Sequence, residues 1–105
     1  MPTVSVSVST LGVIACSPDP VPVSGADATI TFNLVTTGYT FPANAAIVVP
    51  TPANQFPDPS QTVSPNQATL FDVNSDSNSY KYVVRVIRSS DNQPLDLDPT
   101  IENGK

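Results

Sequence analysis

The densest run of oxygen-bearing side chains is Asp72-Val73-Asn74-Ser75-Asp76-Ser77-Asn78-Ser79. Asp72, Asn74 and Asp76 are spaced two apart, like the first three ligands of a calcium loop, in which carboxylate and amide oxygens wrap a hard cation. The sixth loop position, where the bend wants Gly, is Ser77, and the twelfth, where a bidentate Glu belongs, is Val83. With two defining positions lost, the composition describes a solvated turn whose Asn, Asp and Ser bond their own backbone. The turn is the expectation, and Asp72, Asn74 and Asp76 are the candidate metal ligands.

Asp96 and Asp98 are two apart, hence on one face of a strand. Carboxylates paired at roughly 5–10 Å hydrolyse glycosides when a cleft raises the pKa of one of them. Trp is absent, so the usual aromatic platform for a sugar is thin, and acidic residues on a late strand serve rather to keep an edge unpaired. Cys16 is the one cysteine and there is no His. A catalytic thiol needs a base or a positive field to become thiolate. Cys16, which follows Val13-Ile14-Ala15, is therefore expected to pack as a small hydrophobe. Serine nucleophiles lack both a Gly-x-Ser-x-Gly elbow and a His base, and Lys81 alternates with strand residues, facing solvent. The four glycines are scattered at Gly12, Gly25, Gly38 and Gly104, so no phosphate-binding loop exists. No catalytic residue and no cofactor is expected; the chain does not read as an enzyme.

Tyr80 and Tyr82 open the strongest strand signal, where an immunoglobulin-like sandwich often bonds a Tyr back across a corner. Tyr39 and Phe41 lie beside Pro42, and Phe56 beside Pro57. Core or loop anchoring is the reading for these aromatics, ahead of an exposed patch.

The elements that must carry these residues are short strands. Thr3-Val4-Ser5-Val6-Ser7-Val8-Ser9 alternates strictly, with Val on one face and hydroxyls on the other, the period of a half-buried strand. Val13 to Cys16 extends it after a bend at Gly12. The prolines in Ser17-Pro18-Asp19-Pro20-Val21-Pro22 enforce extended, non-helical backbone. Further strands are expected at Ala28–Val35, Ala45–Val49, an edge segment near Gln55–Val63, Ala68–Val73, Tyr80–Arg88 and Leu95–Ile101, with Thr36-Thr37-Gly38-Tyr39 a turn. No window shows a 3.6-residue apolar period. About seven strands joined by turn signals predict one all-β domain over residues 1–105, an immunoglobulin-like two-sheet sandwich, with a small β-barrel as the alternative.

Size and composition agree with that. The 105 residues are 39% hydrophobic and only 12% charged, unlike a disordered region, which is charged and poor in apolar residues. The net charge is -5 and only Lys81, Arg85, Arg88 and Lys105 are basic, so phosphate-driven binding to nucleic acid and attraction to anionic membranes are both disfavoured. A lone Cys forms no intramolecular disulfide, Met1-Pro2-Thr3-Val4 lacks the basic and apolar regions of a secretory leader, and no Asn is an Asn-x-Ser/Thr acceptor. The cytoplasm is the expected compartment.

Near the C-terminus, Tyr80-Lys81-Tyr82-Val83-Val84-Arg85-Val86 and then Leu97-Asp98-Pro99-Thr100-Ile101-Glu102-Asn103 resemble small bacterial proteins of the DP-EP family, named for Asp-Pro and Glu-Pro dipeptides. Asp98-Pro99 fits the first dipeptide; Glu102 is followed by Asn103, not Pro. The likeness covers about the last quarter of the chain and implies a β-sheet fold of bacterial origin without a transferable site. By its own chemistry, Pro99 should stop its strand and the Asp98 carboxylate should bond the backbone of the turn that follows.

The functional expectation is a non-enzymatic binding or assembly module whose sheet edges accept a protein partner or a second copy. The alternative is a calcium- or carbohydrate-binding accessory domain built on Asp72, Asn74 and Asp76 or on exposed aromatics. No charge lies between Thr3 and Cys16, so the first strand self-associates if it is an edge and does nothing of the kind if it is paired on both sides.

Overall fold

Alternation sets the inner faces of the first sheet. In the computed structural model, which describes residues 2–104, strand β1 (Thr3–Val8) buries Val4, Val6 and Val8 and turns its serines outward. A hairpin through Gly12 returns the chain as β2 (Ile14–Ser17), antiparallel to β1 with Val6 opposite Cys16. After the proline-rich passage come β3 (Val21–Ser24) and β4 (Ala28–Leu34), and β4 lies parallel to β1 with Val4 opposite Phe32. Strands β5 (Tyr39–Thr40) and β6 (Ile47–Val48) are two residues each. The hairpin of β7 (Gln61–Ser64) and β8 (Gln67–Asp72) completes the sheet, giving the order β2-β1-β4-β8-β7.

The facing layer is one long hairpin with a break in it. Strand β9 (Ser79–Lys81) continues through Tyr82 into β10 (Val83–Arg88), while β11 (Gln93–Leu97) continues through Asp98-Pro99 into β12 (Thr100–Gly104). Proline removes a ladder donor, and here the Pro99 carbonyl accepts the Tyr82 N–H at 3.0 Å, closing the gap between the two ladders. On one side of the break β10 pairs β11, β5 and β6; on the other β12 pairs β9 and, in parallel, β3. Val21 and Val23 alternate inward on β3 despite Pro22, which sits on the outward positions of that edge strand.

Between the layers lie Val4, Val6, Ile30, Phe32, Tyr82, Val84, Val86 and Ile101, none with measurable exposure. Phe32 and Tyr82 stack at 5.4 Å between ring centroids, tilted by 57°. The architecture is all-β and sandwich-like, with no helix among the described residues and none able to cross a membrane. Every sheet ends in a free strand, so the closed barrel considered above does not form. Strand β1 is paired on both sides, which removes it as a route to self-association.

Candidate functional site

All four buried polar residues of the described chain fall in one cluster: Gln55, Asp72, Asn74 and Asn103. Strand β8 explains two of them. Its inward positions run Ala68, Leu70, Asp72, and the same period of two carries on past the strand end to Asn74. The solvated turn expected there starts only at Ser75; Asp72 is wholly buried and Asn74 is 2% exposed. Strand β12 supplies Asn103, two positions after the buried Ile101. Gln55 arrives on the turn after Pro52, where Ala53 and Asn54 both take left-handed backbone, φ 49° and 64°.

The hydrogen bonds knit these side chains to three segments. Asp72 Oδ1 accepts the Asn74 N–H at 2.9 Å. Asn74 itself sits at φ 53°, a conformation Asn tolerates, and its Nδ2 donates to the carbonyls of Gly25 (2.8 Å) and Val23 (3.3 Å). Gln55 reads the same loop, its Oε1 accepting Ser75 N–H and its Nε2 donating to Ser75 Oγ, both at 2.8 Å. Asn103 Nδ2 donates to Asp76 Oδ1 at 3.0 Å and to Gln55 Oε1 at 3.3 Å. Tyr80, stacked edge-on against Phe56, donates its hydroxyl to Asp76 Oδ2. That bond ties Tyr80 to a carboxylate four residues back, in place of the corner bond to backbone.

The electrostatics of the two carboxylates diverge. Burial raises the Asp72 pKa above its ordinary value, against the Asn74 backbone bond and the nearby Asn103 amide, which lower it. Hydrogen bonds, chiefly from Tyr80, hold Asp76 below its ordinary value. Three buried oxygens of the cluster have no partner: Asp72 Oδ2, Asn74 Oδ1 and Asn103 Oδ1. No group of three or more His, Cys, Asp or Glu gathers among the described residues, so amides supply most of the oxygens here.

The other candidates are dispersed. Asp96 and Asp98 are both exposed. The backbone bond expected of Asp98 is made by Asp19, whose Oδ1 accepts Thr100 N–H at 3.0 Å. Lys81 faces solvent and reaches the Asp98 carbonyl at 3.4 Å. Cys16, half-buried on β2, packs against the core beside Tyr82, and desolvation pushes its thiol up to about 11. The Tyr82 hydroxyl has no hydrogen-bond partner of good geometry, though the Cys16 thiol lies close enough to perturb it, and burial pushes its pKa up. Phe41 and Phe56 are buried and Tyr39 half-buried, so they anchor loops. A cleft of ≈ 430 Å³ opens beside Ile47, Val49, Pro52, Phe56, Pro57 and Leu70.

Sequence reasoning found Asp72, Asn74 and Asp76 but missed Gln55 and Asn103. The signal for Asn103 was the alternation Ile101-Glu102-Asn103; nothing local marks Gln55. No family model and no curated protein matches the chain.

Proposed function

We propose that the chain is a non-enzymatic binding or assembly module, an immunoglobulin-like sandwich that takes an extended segment of a protein partner, or of a second copy, on the β7 edge. One observation carries this: β7 is an edge strand that carries neither charge nor proline. Edge strands are blunted by charge, proline, shortness or cover. Strand β11 has Pro94 and Asp96, β3 has Pro22, β9 ends in Lys81, and β5 and β6 are two residues long. Strand β2 has neither proline nor charge, but β11 runs alongside it.

Strand β7, Gln61-Thr62-Val63-Ser64, carries neither charge nor proline, and Val63 projects from it 60% exposed. A bulge between Thr62 and Ser64 bends it, and Pro59 and Pro65 bracket it, so the added strand is short. Main-chain hydrogen bonds supply affinity in such pairing, and pockets for flanking side chains supply choice. Ser60, immediately before β7, lines the 430 Å³ cleft, which gives a partner side chain apolar surface at that end.

Peptide-library selection on the immobilised protein tests the reading. Selected peptides should bind at least tenfold more weakly to Val63→Lys. They should bind normally to Val13→Lys, a control of nearly equal exposure at 59%. No selected peptide, or equal losses in both variants, overturns it.

A further inference from the structure

The polar cluster at the end of β8 has an imbalance that hydrogen bonding does not resolve. Its three unpartnered buried atoms are all oxygens, on residues at most 2% exposed. The amide orientations are fixed by their nitrogens. Asn74 Nδ2 faces two backbone carbonyls, and Asn103 Nδ2 faces Asp76 Oδ1 and Gln55 Oε1. Turning either amide would set its oxygen against other oxygens, so Asn74 Oδ1 and Asn103 Oδ1 stay as acceptors. Asp72 Oδ1 is taken by a backbone N–H while Oδ2 is free. Among the described residues the one ion pair is Arg88–Asp91, so neither Asp72 nor Asp76 is neutralised there by Lys or Arg.

Buried acceptors without donors are costly. A proton on Asp72 can serve one amide oxygen at most; a cation is a partner that carboxylate and amide oxygens can share. We propose that Asp72, Asn74 and Asn103, with Asp76 at their side, bind a calcium ion where the end of β8 meets β12. The donor set is carboxylate and amide oxygen, the chemistry of a hard cation, and contains no His or thiolate. Calcium is favoured over magnesium because Mg²⁺ keeps several of its waters and demands an octahedron. Ligands buried to this degree leave little space for a hydrated ion. The site departs from the helix-flanked calcium loop: its third ligand, Asn103, comes from a strand distant in sequence, and no glycine or terminal Glu is needed.

The test compares thermal melts in chelator, calcium and equimolar magnesium, together with terbium titration. Tyr80, bonded to Asp76, is placed to sensitise terbium emission. At calcium about tenfold above Kd, linkage predicts a Tm rise of about 6–10 °C for a domain of this size. Chelator should reverse it. Terbium emission should saturate near one ion per chain and be displaced by calcium. Asp72→Asn should abolish both signals, and Asp96→Asn, an exposed carboxylate elsewhere, should keep both. No saturable shift or emission up to about 10 mM calcium, ten times the weakest usual Kd, overturns the site. So does a response that Asp72→Asn retains, or one that magnesium matches.

Discussion

In chelator, replacing Asp72 by Asn should stabilise the protein, and by more as pH rises. Asp72 is wholly buried, with Oδ2 unpartnered. An unpaired buried acceptor costs about 1–3 kcal/mol, more when charged. Asn keeps the oxygen that accepts Asn74 N–H and replaces the unpartnered Oδ2 with an uncharged NH₂, in a cluster whose other two unpartnered atoms are amide oxygens. A gain of about 1–2 kcal/mol at neutral pH follows, or roughly 5–10 °C in Tm. The pH dependence has a definite sign. Burial raises the Asp72 pKa in the folded state, so this group's contribution is present below the ordinary carboxylate value of about 3.9 and is lost as pH rises through the raised one. Asn loses no proton. The gap between variant and wild type should therefore open above about pH 4 and level off beyond the raised value. Asp76, held low, works in the opposite sense, stabilising above the ordinary value and losing that as pH falls through its lowered one. It is common to both proteins and largely cancels. Melts from pH 3.5 to 7.5 in chelator check this. A variant less stable than wild type at pH 7, or a gap unchanged across the range, refutes the reasoning.

Tyr82→Phe removes a buried hydroxyl without a good partner and should be neutral or stabilising by up to about 1 kcal/mol in urea titration; a clear loss would mean the Cys16 thiol bonds it strongly. Phe32→Ala empties the centre of the core, where Phe32 is wholly buried against Tyr82, and should lose about 3–5 kcal/mol, read from the shift in denaturant midpoint. With its thiol raised to about 11, Cys16 should react slowly with iodoacetamide at pH 8 while folded and at the ordinary rate once unfolded. Ser7→Lys, on a strand paired on both sides, should leave the sedimentation coefficient unchanged.

The fold was legible where one face is apolar and the other hydroxylated. The runs at Thr3–Val8 and Ala28–Leu34 announce their register, because a slip by one residue would turn every Val and Ile to solvent. Proline hid the rest. Pro22 marks its segment as extended without showing that Val21 and Val23 pair with the last strand. Pro99 divides what reads as one strand at Leu95–Ile101 into β11 and β12. The polar cluster was half legible. Asp72 and Asn74 stand out by composition, but composition alone describes a wet turn. Their burial follows from continuing the Ala68-Leu70 period, and that period competes with Phe71 and Val73 on the opposite face, both half-buried. Asn103 joins them only through a pairing of elements far apart in sequence, which local pattern does not encode.

The account's central claim is that β7 is an edge open to another strand, and backbone amide exchange measures this directly. Exchange of Gln61–Ser64 should be recorded in the free protein and with a selected peptide bound. The outward N–H groups of β7 should exchange freely alone and become protected in the complex, while β11 and β3 stay unchanged. Protection that falls on another edge or on the sheet faces, with β7 still exchanging freely, would contradict it.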